Sequence, residues 1–333
     1  MKETFTDIRD GLEIARRYGL ESLFKRIHLS YKRRAWEELA QVIPRNIKSL
    51  TVESEPKSLA REAVPAYDLI IPVFNSFCKL QNLLNSLLKH RPDHVSSIVI
   101  SDDCSTDKRV SNLLLEFSRC EPRTQIITQK KNLGFSLNTT VALKACTQSI
   151  CVVLNSDTEV GFGSLDRLVA HFLTNPKLAT ICPLSNHAAY AGIAPRSQLH
   201  EFTQAEVLMA DLLLQFVQPG SYAVPFSSGF CWAIRRDLFF NSGGFADEFH
   251  AGYGEDADYC LRAWMAGYEC RVATNVAVFH KGSSSFGIQQ ANYLSRRHST
   301  LLLKKHPIYL ELVSNDKLLA NANLQRRKTF SDI

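Results

Sequence analysis

The chain has 333 residues, 45% of them hydrophobic and 22% charged. That is enough for one large α/β domain or two modest ones, and it excludes disorder, collagen and a small disulfide scaffold. The net charge of +6 makes the surface mildly basic, far short of a dedicated nucleic-acid binder, so no nucleic-acid partner is expected. The charge is uneven: residues 1–65 carry +3, residues 66–280 carry −3 and residues 281–333 carry +6.

No run approaches the ~18 apolar residues of a membrane-spanning helix, and the opening MKETFTDIRD lacks the apolar centre of a signal peptide. The expectation is a cytoplasmic protein, with peripheral contact at the inner face of an anionic membrane as the use of its basic ends. Nine cysteines without a CxxC pair read as small core residues in a reducing compartment, without a disulfide or zinc cluster.

Residues 1–60 read as charged and helical, punctuated by Pro44, Pro56 and Pro65. The two readings are an appendage packed on the main domain and a basic amphipathic helix for a surface or partner. From Tyr67 apolar runs alternate with helical-period segments, as in βα units with a parallel sheet. Strands are expected at 68–73, 97–101, 125–128 and 151–154, with helices at 79–90, 108–119 and 138–146 between them. A helix at 165–175 and a strand at 178–183 follow. The stretch 185–225 is less periodic. Then come an apolar segment 226–234, the Gly243-Gly244 turn, a helix ending near Met265, two short strands ending at His280 and a basic helix over 289–305.

Each early strand ends in polar residues: Phe74-Asn75, Asp102-Asp103, Asn132-Leu-Gly134 and Asn155-Ser-Asp157. In open parallel sheets the ligand crevice lies at those ends. Neither GxGxxG nor GxxxxGK[ST] is present, so a dinucleotide cradle and a P-loop are excluded, and a divalent metal on carboxylates is the remaining usual device for phosphates. Asp103 can accept from a base N–H or ribose hydroxyls, whereas Asp107 suits a helix N-cap. Asp157 reads either as a turn residue or as an oxygen ligand for Mg²⁺ or Mn²⁺. Glu255, Asp256 and Asp258 crowd a helix start. The dipole there explains Asp258, and one of the others can be a general base. His280 reads as structural or as the imidazole completing a Mn²⁺ shell.

Together, Ile70-Ile-Pro-Val-Phe-Asn75, Ser101-Asp-Asp-Cys-Ser-Thr-Asp107, Asn132-Leu-Gly-Phe135, Leu154-Asn-Ser-Asp-Thr158, Gly252-Tyr-Gly-Glu-Asp-Ala-Asp-Tyr259 and Val278-Phe-His280 resemble the family 2 inverting glycosyltransferases. They are most similar to the bacterial rhamnosyl- and galactofuranosyltransferases of surface polysaccharides. The resemblance covers residues 67–285. It implies the GT-A fold, an α/β nucleotide-diphospho-sugar transferase with a mostly parallel sheet flanked by helices. The expected organisation is a helical basic extension over 1–65, a catalytic domain over 66–286 and a basic helical extension over 287–333. Within the domain, 66–160 is the nucleotide-binding half and 161–286 the acceptor and catalytic half.

The same resemblance implies that Pro72, Phe74, Asn75, Asp103, Asn132, Gly134, Asn155 and Ser156 hold the nucleotide sugar. Asp157 and His280 would hold Mn²⁺ or Mg²⁺, and Asp256, beside Glu255, would be the base. Asn155 stands where the first carboxylate of the family's DxD motif is expected, so the metal has one carboxylate and His280. The implied reaction moves a sugar from a UDP- or dTDP-linked donor to a hydroxyl of a saccharide or lipid-linked saccharide. A different reading is a catalytically silent member that binds a nucleotide sugar or serves as a scaffold.

Overall fold

The computed structural model describes residues 64–188, 190–193, 202–249, 252–282, 287–309 and 311. The expectations for residues 1–63 and for the tail beyond 311 lie outside the described residues.

The first half follows the expected alternation. Strands β1 (Tyr67–Val73), β2 (Val95–Asp102), β3 (Thr124–Thr128) and β4 (Ile150–Leu154) are linked by helices α1 (Phe77–His90), α2 (Lys108–Cys120) and α3 (Phe135–Ala145). β1 is buried at every position, as a parallel strand covered on both faces must be. α1 buries Leu80, Leu83, Leu84 and Leu87, the one-face spacing of a helix. Each fully buried leucine contributes about 1.5–3 kcal/mol. α2 starts where Asp107 accepts from the Arg109 backbone N–H at 3.0 Å, the N-cap expected of it. α3 begins three residues earlier than its apolar period indicates. Asn138 lies inside it, donating to the Ser101 carbonyl at 2.8 Å and accepting from the Ser101 hydroxyl at 2.6 Å, which ties α3 to β2.

The second half departs from simple alternation. Two-residue β5 (Thr158–Glu159), α4 (Ser164–Thr174) and β6 (Leu178–Leu184) are followed by α5 (Gln204–Leu214) and β7 (Ser221–Val224), both within the stretch that shows little periodicity. α5 is apolar nearly all round, so it has no amphipathic signature, but it carries a capping box between Thr203 and Glu206. β8 occupies only Cys231–Arg235 of the apolar segment. It leads to α6 (Arg236–Asn241), a short 3-10 turn at Asp247–Phe249, α7 (Glu255–Met265), β9 (Glu269–Ala277), β10 (Phe279–His280) and α8 (Gly287–Lys305).

The eight-stranded sheet runs β3-β2-β1-β4-β8-β6-β9-β7, and β5 and β10 form a separate pair. Pairing is parallel from β3 to β4 and again between β6 and β9, but β8 is antiparallel to both β4 and β6, and β7 is antiparallel to β9. The sheet is therefore mixed in its second half.

Strand order reverses between β1 and β4. Their pairing stops at Ile70↔Val153, so Pro72, which has no N–H to give, lies beyond the β4 ladder. The two strands separate there and open the crevice toward which the polar strand ends point. No helix among the described residues is long and apolar enough to cross a membrane. All nine cysteines are free, six of them buried.

Candidate active site

The ends of β1, β2 and β3 are joined by mutually bonded loops. Asn75, at φ 54°, accepts with its side-chain oxygen from the backbone N–H groups of Thr106 and Asp107 at 2.9 and 3.1 Å, while its own N–H donates to the Ser105 hydroxyl at 2.8 Å. Asp103 is 3% exposed and accepts from the Leu133 and Gly134 N–H groups at 2.6 and 2.9 Å. Burial pushes its carboxyl up, the two amides oppose this, and neighbouring Asp102 adds to it. Asn132 caps the same turn, accepting from Gly134 N–H at 3.1 Å. Asn75, Asp103, Asn132 and Gly134 are thus drawn together through the 103–107 segment, with Pro72 buried and Phe74 half-buried at the end of β1. Each also holds a loop, a duty their spacing does not reveal.

Asp157 and His280, separated by more than a hundred residues, meet. Oδ1 of Asp157 lies 3.3 Å from Nε2 of His280, and both side chains are largely buried. The β5–β10 ladder places them, pairing Thr158 with His280 and Glu159 with Phe279. Asn186, after β6, locks the His280 backbone by donating to its carbonyl at 3.0 Å and accepting from its N–H at 2.9 Å. The His280 ring stacks on Phe230 at 4.9 Å and 14°.

These residues fit a divalent cation. Adjacent octahedral ligands at about 2.1 Å from a metal are about 3 Å apart, close to the observed separation. The Asn155 side-chain oxygen is buried without a hydrogen-bond partner, as expected of a donor awaiting a ligand. An O/N donor set suits Mn²⁺ or Mg²⁺. Asp68, Cys146 and Cys151 also cluster within metal-ligand reach. There, however, the Asp68 carboxylate already accepts from Ser97, Thr147 and Gln148, and the hydrogen bond with the Cys146 thiol, followed by burial, pushes the Cys151 thiol up.

The acid pair opens α7. Glu255 is 6% exposed, and one of its oxygens is buried without a partner. Burial and the Asp256 charge hold its carboxyl well above the ordinary value. Asp256 accepts from Gly229 N–H at 3.0 Å and from its neighbour Ala257 N–H at 2.8 Å. Its pKa is also raised, burial outweighing those amides. Asp258 is fully buried, and besides the helix dipole it has Arg262 at 2.9 Å, His306 at 2.9 Å and Lys305 at 3.1 Å. The last two belong to α8 and the residue after it, so the basic C-terminal helix is anchored on α7.

The motifs give no hint of Gly229 and Phe230, which join the two centres. Gly229 donates to Asp256, and the Phe230 carbonyl accepts from Asn155 N–H at 2.8 Å. The only cue in the sequence is their place before an apolar strand.

The mixed sheet thus carries polar strand ends around a carboxylate–imidazole pair and an acid pair at the start of α7. The family model "Glycosyl transferase family 2" matches residues 68–241, more than half of the chain, and the chain belongs to that family. Polypeptide N-acetylgalactosaminyltransferase 10 of Mus musculus is 24% identical over 217 residues, 62% of this chain and 36% of that protein. The chain thus spans little over a third of that relative's length. N-acetylglucosaminyl-diphospho-decaprenol L-rhamnosyltransferase of Mycobacterium tuberculosis is 24% identical over 247 residues, covering 65% of this chain and 75% of that protein. Among solved structures, a mannosyltransferase of Pyrobaculum calidifontis in complex with GDP-Man and Mn²⁺ has a TM-score of 0.57 at 15% identity, covering 89% of this chain and 79% of that one. GalNAc-T7 with UDP, GalNAc and Mn²⁺ has a TM-score of 0.53 at 15% identity, covering 79% and 55%. These establish the shared GT-A-like fold.

Proposed function

We propose that this chain is a metal-dependent inverting glycosyltransferase that moves a sugar from a UDP- or dTDP-linked donor to a hydroxyl of a saccharide or lipid-linked saccharide in surface polysaccharide synthesis. The observation that carries it is the junction at Gly229-Phe230, which sets the Asp157–His280 pair and the Glu255–Asp256 pair against one short segment. A leaving diphosphate and an attacking hydroxyl need those two centres side by side. The rhamnosyltransferase relative, named for a lipid-diphosphate-linked acceptor, supports the acceptor class.

In this reading Asn75, Asp103, Asn132 and Gly134 shape the nucleotide pocket, with Asn155 and Ser156 beside the phosphates. Asp157 and His280 would hold Mn²⁺ or Mg²⁺, which when bound offsets charge on the diphosphate. Asp256 accepts the proton of the acceptor hydroxyl. Its raised pKa makes it a stronger base than an ordinary carboxylate, and amides from Gly229 and Ala257 keep it oriented. Attack from the face opposite the diphosphate inverts the anomeric centre. The exposed Arg296, Arg297 and Lys304 of α8 suit peripheral contact with an anionic membrane, each cation contributing about 1 kcal/mol there.

The test is a panel of UDP-, dTDP- and GDP-sugars assayed with Mn²⁺ for slow donor hydrolysis and for transfer to lipid-linked saccharides. Asp256→Asn should lower transfer by about 10²–10⁴-fold while donor binding persists. Binding without any release of diphosphate would favour a silent nucleotide-sugar-binding member.

A further inference from the structure

His280 ends a strand of two residues, and so short a ladder does little to fix a side chain. Successive residues of a strand turn their N–H and carbonyl groups to opposite edges. On the β5 edge, the Lys281 N–H donates to the Asp157 carbonyl at 3.0 Å. The N–H and carbonyl of His280 itself face the other edge. There the β6–β9 ladder ends at Leu184↔Ala277, and the Val278 N–H donates to the Leu184 carbonyl at 2.9 Å.

Just past that end stands Asn186, 6% exposed. Its carboxamide donates to the His280 carbonyl at 3.0 Å and accepts from the His280 N–H at 2.9 Å. A carboxamide carries the same N–H and C=O pair as a peptide group, so this one side chain reproduces a rung of the ladder. Asn186 is braced in turn. The fully buried Ser185 donates its hydroxyl to Asn186 Oδ1 at 3.3 Å, and the same hydroxyl accepts from the His187 N–H at 3.4 Å. Ser185 is itself tied down, its N–H donating to the Ala191 carbonyl at 2.7 Å and its carbonyl accepting from the Ile193 N–H at 2.9 Å.

The next residue acts on the ring. Nδ1 of His280 lies 3.2 Å from the His187 carbonyl. A carbonyl can only accept, so Nδ1 carries the proton. In the neutral ring the lone pair then falls on Nε2, the atom 3.3 Å from Asp157 Oδ1, and metal ligation requires that form of imidazole. Asn186 thus fixes where the ring starts, and the His187 carbonyl fixes which nitrogen faces Asp157.

We propose that Asn186 is a positioning residue for the metal centre: its carboxamide, with the His187 carbonyl beside it, presets His280 so that Nε2 is directed to the cation shared with Asp157. The proposal rests on the functional reading above, which assigns Asp157 and His280 to the metal.

In the experiment, Mn²⁺ is titrated into wild type, His280→Ala and Asn186→Ala with UDP or dTDP, whichever wild type binds. Calorimetry gives the Mn²⁺ affinity, and pulsed electron paramagnetic resonance shows the nitrogen coupling of a directly bound imidazole. Wild type should show the coupling and His280→Ala should lack it. Asn186→Ala should bind Mn²⁺ about 10–100-fold more weakly, the usual cost of losing the support behind a metal ligand, with a reduced coupling in the ion that still binds. A lower melting temperature with affinity and coupling unchanged would make Asn186 structural only and overturn the proposal. Should Asn186→Ala fail to fold, Ser185→Ala removes the brace instead: it should bind Mn²⁺ about 3–10-fold more weakly, the worth of one hydrogen bond, and unchanged affinity would overturn the proposal equally. A failure of the functional reading shows itself in wild type, as no Mn²⁺ binding or no coupling from His280, and takes this inference with it.

Discussion

Replacing Asp258 by Asn tests how α8 is fastened to the helix bearing the acid pair. The carboxylate is fully buried and has three partners: Arg262 Nε at 2.9 Å, His306 Nε2 at 2.9 Å and Lys305 Nζ at 3.1 Å. Removing one member of a buried ionic cluster costs about 3–5 kcal/mol because the others are left uncompensated. The Arg262 and Lys305 side chains keep 21% and 30% exposure and can recover some water, which places the cost near the lower limit, about 3 kcal/mol. For a domain of this size that corresponds to a melting temperature lower by about 6–12 °C.

The pH dependence adds a sign. Burial raises the Asp258 pKa, but His306, Arg262 and Lys305 outweigh it, and the net shift is downward. A lowered carboxylate contributes stability that is complete above the unfolded-state value of about 4 and is lost as pH falls through the folded value. Melting curves of both proteins should therefore show a constant gap between pH 7 and 5 that closes only below about pH 4. A gap under about 1 kcal/mol at pH 7, the worth of an exposed pair, or one already closed at pH 5, would refute the reasoning.

Three further outcomes follow from the site. The raised pKa of Asp256 means that kcat falls on acidification at a pH above the ordinary carboxylate range, because the base takes up its proton early; an acid limb at or below about pH 4 in the pH–rate profile contradicts this. Gly282 has φ +66°, and any Cβ there runs into the His187 ring, which lies 5.5 Å from the His280 ring. Gly282→Ala should thus displace His280 and weaken Mn²⁺ binding in a calorimetric titration, and unchanged affinity would show His187 to be decoupled. Chelation should abolish transfer and Mn²⁺ should restore it; full activity in excess EDTA would remove Asp157 and His280 from the reaction.

The first half of the fold is legible in the sequence because β1, β2 and β4 are buried over most of their length and read as short apolar runs, as does the Ile126-Ile127 centre of edge strand β3, with helices of clear period between them. The second half is less so. α5 is apolar nearly all round and gives no amphipathic period, and β8 runs antiparallel between β4 and β6, a reversal that no local pattern encodes. The candidate site is legible as residue types at strand ends. The pairing of Asp157 with His280 depends on the β5–β10 ladder, and each of those strands is only two residues long. Gly229, Phe230 and Asn186 act through backbone groups or as supports, and their identities alone carry no chemical signature. Asn75 and Asp103 fall between these cases: their motifs mark them, but not the loops they tie together.

The Gly229-Phe230 segment has a geometric consequence. Bonded on one side to Asn155 and on the other to Asp256, it continues directly into β8 at the middle of the sheet, and under the proposed function it would be a fixed gauge between the leaving-group end and the attacking end. Under that proposal the span of the reaction is a property of the sheet. Under the same proposal, a chain of this architecture can change the sugar it accepts through its loops without re-spacing its chemistry.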